Sequence, residues 1–229
     1  MSKVDSALVA AARTGLRELA DPVKAPDMQR YMKSDMPYLG VAKPERSGLA
    51  KRVFAEFPLA DVGGLVDTAL ELWRAAQFRE ERYLAVDLTG WKAYGRWQDS
   101  SLVPLYEEMI VTGAWWDYVD EVAIRRIGPL LRAERPKLTK LMREWSVDED
   151  PWRRRTSIIC QVGAKLDTDT DLLTETIEAN IDEKGFFLRK GIGWALREYS
   201  KVEPGWVRAF VDAHPGLSPL SRREATKYV

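Results

Sequence analysis

Aromatic residues open successive helical segments at Phe78, Trp116, Trp152 and Phe187, with gaps of 38, 36 and 35 residues. A charged residue follows each within four positions: Arg82, Asp120, Arg155 and Lys190. A recurrence of this length is that of a two-helix unit. Such a unit cannot bury its apolar face alone and must stack on its neighbours. The intervening chain agrees. Segments 44–57, 62–76, 101–112, 114–132, 136–145 and 170–181 place apolar residues three and four apart, the period of an amphipathic helix. Pro44 suits a first helical turn. The breaks at 148–152, 202–206 and 214–219 are short and carry Pro, Gly or Asp. No hairpin pattern of alternating residues is present.

About a dozen helices with short connectors are therefore expected. The fold class is all-α: a curved helical solenoid of about six HEAT-like helix pairs forming a single domain over residues 1–229. The inner helices of such a solenoid would carry the aromatic and charged ladder into a groove.

Composition narrows the chemistry. Of 229 residues 45% are hydrophobic, enough for a sizeable core, and no apolar run reaches the length of a membrane span. The stretch 1–21 reads as a first amphipathic helix and not as a signal peptide. Cys160 is the only cysteine, which rules out an intramolecular disulfide and fits a reducing cytoplasm. His214 is the only histidine and lies in a turn-like "DAHPG". A histidine triad and a His/Cys metal site are thereby excluded, leaving carboxylates, tyrosines, lysines or water for any catalysis. The formal net charge is zero, but its distribution is uneven. "WRRR" (152–155) and "LRKGIGWALREYSK" (188–201) are basic, whereas 167–183 carries acids and no base. If alternate helices face opposite ways, one surface is basic and the other acidic; ordinary solvated helix faces are the plainer reading.

The stretch "GAWWDYVDEVA" (113–123) puts Trp116 and Asp120 four apart, on one helix face. A carboxylate beside an indole is an unusual neighbour for a core. The tryptophans can still be read as core packing, and either aspartate as a helix-start charge, with Asp117 the better placed for that role. Gly191 and Gly193, three residues and one residue before Trp194, would permit another backbone to approach closely.

Five ordered segments carry a resemblance: 28–46 ("MQRYMKSDMPYLGVAKPER"), 104–122, 150–161 ("DPWRRRTSIICQ"), 186–201 and 217–228 ("LSPLSRREATKY"). Together they resemble the AlkD-type alkylpurine DNA glycosylases, bacterial repair proteins built of HEAT-like repeats. The resemblance implies a concave basic surface for duplex DNA, with Asp120, Trp116 and Trp194 against the deoxyribose of the damaged nucleotide. It implies DNA contacts from Tyr31, Arg154, Arg155, Lys190 and Arg197. It further implies a cytoplasmic, nucleoid-associated monomer that hydrolyses the N-glycosidic bond of N3- or N7-alkylated purines. No metal or organic cofactor is implied, and the base is not swung into a pocket as in the usual strategy. Ala42 and Gly163 depart from the family pattern near expected DNA contacts.

The chemistry suits those residues. A cationic alkylated purine is already a good leaving group, so the enzyme must stabilise positive charge on the sugar and place a water. A carboxylate does both, and indole faces attract the cation. A non-catalytic HEAT-like scaffold that binds DNA or protein through the same groove is the competing reading. A helix-hairpin-helix glycosylase would need a Gly-rich hairpin that is not evident here.

Overall fold

The computed structural model describes residues 3–228, and all regular structure among them is helical. The chain divides into two compact units, Met1–Gln98 and Asp99–Val229. The first holds α1 (Ser6–Glu18), α2 (Ala25–Met32), α3 (Lys43–Glu56), α4 (Val62–Arg74) and α5 (Arg79–Thr89). The second holds α6 (Val103–Gly113), α7 (Trp116–Val122), α8 (Gly128–Ala133), α9 (Arg135–Ser146), α10 (Pro151–Ile159), α11 (Thr170–Glu178), α12 (Phe186–Ser200), α13 (Pro204–Ala213) and α14 (Pro219–Ala225). The all-α class read from periodicity is what the chain adopts.

The helix starts follow from capping chemistry. Asp5, Asp61, Asp150 and Asp169 each accept a backbone N–H from the first turn of α1, α4, α10 and α11. One such cap contributes about 1 kcal/mol by satisfying a donor that has no partner within the helix. Asp150 and Pro151 together fix where α10 begins, and hence where its arginines lie. In the first unit, α1 packs on α3, α4 and α5. Leu8, Leu16, Leu65, Leu72 and Trp73 are completely or almost completely buried there. In the second, α10 packs against α6, α7, α9, α11 and α12. Its Ile158 and Ile159 join Ile177, Ile192, Leu196, Val207 and Val211 in one apolar cluster. Each such aliphatic side chain contributes roughly 1.5–3 kcal/mol on burial.

Two local features refine the sequence reading of 114–132 as one helix. Ala114 adopts a left-handed conformation (φ 44°) and turns the chain sharply between α6 and α7. From Trp116 the helix then runs without a break to Ala133, but Ala123–Ile127 is a π segment, one turn beyond Asp120. A π turn takes in one more residue than an α turn, and such insertions occur often at functional sites.

Candidate active site

The site lies wholly in the second unit, at the starts of α7, α10 and α12. Their aromatic residues pack on one another. Ring centroids of Trp115 and Trp152 are 6.3 Å apart, and Phe187 lies 5.2 Å from each. Three rungs of the ladder seen in the sequence therefore stack, with two corrections: the member ahead of α7 is Trp115, not Trp116, and Phe78 belongs to the first unit, where the Arg17 guanidinium lies 5.9 Å from its ring. Trp115 is the extended residue ahead of the helix, so its ring turns to the aromatic cluster. Trp116, the first helical residue, is half-buried outside that stack.

Four residues along α7, Asp120 meets Arg155 of α10. The guanidinium grips both carboxylate oxygens, Nε donating to Oδ1 at 2.7 Å and Nη2 to Oδ2 at 2.8 Å. Nη1 donates to the backbone carbonyl of Phe187 at the start of α12. Three helices are thus tied through one side chain. The Arg155 side chain is 3% exposed, whereas Asp120 keeps 16%. The carboxylate therefore stands between a dry guanidinium and the solvent side. Burial pushes the Asp120 carboxyl above the ordinary aspartate value, with a smaller contribution in the same direction from Asp117, while the Arg155 hydrogen bonds and charge oppose it. A fork-to-fork pair in a water-poor site fixes direction as well as charge.

The two glycines of "KGIGW" are explained by packing. A Cβ on Gly191 would come 3.1 Å from Arg155 Nη1, so the missing side chain makes room for the guanidinium. A Cβ on Gly193 would come 2.6 Å from Glu224 Cβ and 3.0 Å from the Ser221 carbonyl, so α14 lies directly on α12. Trp194 follows on α12, half-buried against the apolar cluster. Asp120, Arg155 and Gly191 are linked by contact, and Trp194 lies three residues beyond Gly191.

The expected basic track is different in detail. Arg155, expected at the DNA surface, is buried and committed to Asp120. Arg154 donates to Glu183 at 2.7 Å, and Arg153 lies 2.7 Å from Glu107 and 3.2 Å from Asp148. Lys190 and Arg197 both reach Glu224 of α14. Within the acidic stretch 167–183, Glu175 of α11 pairs with Arg143 of α9 at 2.6 Å. Opposite charges on neighbouring helices pair off, which is why the "WRRR" run does not present three free cations. Tyr31 lies in the first unit on α2 and is 77% exposed. Ala42 precedes α3 without a side-chain cap bond, and Gly163 is an exposed left-handed residue (φ 83°). Among the described residues no cluster of three His, Cys, Asp or Glu side chains could hold a metal ion, and no helix is long and apolar enough to cross a membrane.

Two site residues escape sequence reasoning. The Phe187 carbonyl is backbone and leaves no signature. Glu224 leaves a faint one, as a lone acid after two bases in "SRREA".

Fold and site define a class: a protein of stacked helices tied by a carboxylate–guanidinium pair, with half-buried tryptophans on two of the helices so joined. Within that class the chain belongs to the DNA alkylation repair enzyme family, whose sequence model matches residues 12–229. Its role is thereby in DNA repair. A solved structure described as a predicted DNA alkylation repair enzyme from Enterococcus faecalis is 30% identical, with a TM-score of 0.83 over 92% of this chain and 96% of that one. The structure of smu.31 from Streptococcus mutans UA159 shares the fold at 16% identity, with a TM-score of 0.59 over 79% of this chain and 90% of that one. No curated protein matches the chain.

Proposed function

We propose that the protein is a monofunctional DNA glycosylase that hydrolyses the N-glycosidic bond of cationic N3- or N7-alkylated purines in duplex DNA. The observation that carries the reading is the Asp120 carboxylate, aimed by a buried Arg155 and left partly open to solvent beside Trp116. A carboxylate serving only to hold helices together would gain nothing from that opening.

In this mechanism the C1′–N bond breaks with its electron pair moving to the purine, which leaves uncharged. The sugar becomes an oxocarbenium-like cation. Asp120 stabilises that charge, most effectively where water is excluded. It also orients the water that attacks C1′ and receives its proton. Trp116 and Trp194 present indole faces to the cationic sugar. No residue protonates the leaving group: His214, the only histidine, is tied to Glu178 and to the Phe210 carbonyl. The substrate must therefore bring its own positive charge. Because Asp120 and the tryptophans act on the sugar and not the base, the lesion needs no pocket and no flipping, and bulky N3-adenine adducts are within range. The protein acts as a cytoplasmic monomer without metal or organic cofactor, and Tyr31, Lys190 and Arg197 contribute to DNA attachment.

The test is incubation with methylated duplex DNA and with duplex containing uracil. Release of 3-methyladenine or 7-methylguanine, with uracil left in place, is expected. Release of uracil at a comparable rate removes the requirement for a cationic leaving group. Binding of duplex without release of any base leaves a HEAT-like scaffold as the better description.

A further inference from the structure

Lys190, Trp194 and Arg197 fall four and three residues apart on α12, so they form one stripe along that helix. Both cations converge on a single carboxylate from another helix. Lys190 Nζ donates to Glu224 Oε1 at 2.7 Å, and Arg197 Nη1 donates to Glu224 Oε2. The Glu224 side chain is 15% exposed, Arg197 21% and Lys190 38%. The pairing is built into the packing, because Gly193 lets α14 approach until Glu224 Cβ sits where a side chain at 193 would begin.

One carboxylate shared by two cations leaves the stripe with a net charge of about +1 where its cations alone would give +2. It also leaves most donors unused: an ammonium has three and a guanidinium five, and Glu224 takes one from each. The two cations are thus fixed in position, weakened as a long-range attraction and still able to bind a phosphate that comes to them.

We propose that Glu224 is a positioning residue that sets selectivity for damaged over undamaged DNA, an inference that rests on the glycosylase reading above. Glu224 holds Lys190 and Arg197 on either side of Trp194 and repels any phosphate that approaches without matching them. Regular duplex must deform to match. A duplex weakened at a lesion deforms at lower cost, as in recognition through deformability. Removing the carboxylate frees both cations to find phosphates on any duplex, so affinity rises where it is not useful.

The experiment compares wild-type protein with Glu224→Gln, Glu224→Asp and Glu198→Gln. Glu198 pairs at 2.7 Å with Lys201, the residue that follows the last of α12, and controls for the loss of a negative charge elsewhere. Dissociation constants are measured for an undamaged duplex and for one bearing a single tetrahydrofuran abasic analogue, across a salt series. Glu224→Gln should bind undamaged duplex on the order of 3–10-fold more tightly. Its log affinity should fall more steeply with log salt by about 0.9, one additional phosphate contact. Affinity for the analogue should change less, so the ratio of the two constants falls. Glu224→Asp should keep the wild-type slope, and Glu198→Gln should keep the wild-type ratio. An unchanged ratio in Glu224→Gln, an equal shift in Glu198→Gln, or weaker binding of both duplexes by both Glu224 variants overturns the proposal. The last pattern would mark Glu224 as a packing residue of α14. Wild-type protein that binds no duplex and releases no base instead sinks the glycosylase reading, and this inference with it.

Discussion

Glu80 in the first unit and Asp120 in the second are two carboxylates treated in opposite ways. Glu80 of α5 is fully buried and accepts the backbone N–H groups of Leu39, Gly40 and Val41, with distances from 2.9 to 3.1 Å. Its neighbour Arg79 donates to the Ser34 hydroxyl and, through its backbone N–H, to the Pro37 carbonyl. Helix α5 thereby clamps the loop between α2 and α3, and the carboxylate is used up in doing so. Asp120 of α7 takes hydrogen bonds on both oxygens from one guanidinium, that of Arg155, and keeps part of its surface in solvent. A carboxylate saturated by backbone donors in a closed site holds a loop. One held by a single guanidinium, and open on the other side, can act on something that arrives.

That contrast can be broken first at Asp120. Asp120→Asn keeps the shape and an oxygen for Arg155 but removes the charge. Single-turnover release of 7-methylguanine at saturating protein should fall on the order of 10²–10³-fold, roughly 3–4 kcal/mol of barrier. A rate within a few-fold of wild type would place Asp120 in the same structural class as Glu80. The converse change, Glu80→Gln, should lower stability by about 1–3 kcal/mol, because the acceptor of several buried N–H groups loses its charge. The urea midpoint checks this, and base release per folded molecule at saturating protein should stay near wild type. A large loss of rate with full stability would erase the distinction between the two units.

The smallest effect is also the sharpest. Burial raises the Asp120 pKa and the charge of Asp117 adds to it, while the proposed chemistry needs the ionised form. Activity should therefore be lost as pH falls through a value above the usual aspartate range. Asp117→Asn removes a like charge, so its acid limb should move to lower pH with the plateau rate nearly unchanged. A limb that moves upward would have the wrong sign for a carboxylate acting in its charged form.

The sequence made the helix class and the shared face of Trp116 and Asp120 legible because both are local. Apolar spacing marks helices wherever the core lies, and Trp116 and Asp120 share a face by helical geometry alone. Partnerships across helices are a different kind of information. Nothing in "WRRR" says that Arg155 turns inward to Asp120, 35 residues away in sequence, while Arg153 and Arg154 meet other acids. The ladder pointed to the correct helix starts but to the wrong tryptophan, since the extended backbone at residue 115 decides which ring faces the stack. Glu224 left only a faint trace for the same reason: its meaning depends on α14 resting on Gly193.

The π segment after Asp120 bears on what a change in the length of this helix would do. Successive residues of an α-helix are rotated by about 100°. An added residue absorbed as a widened turn at Ala123–Ile127 spares the packed residues that follow, Leu130 and Leu131, from swinging round the axis relative to Asp120. Loss of one residue there would have to be absorbed elsewhere, or it would turn the carboxylate away from Arg155. Insertions and deletions are ordinarily accommodated in loops. In this protein the length of one helix helps decide where a charge points.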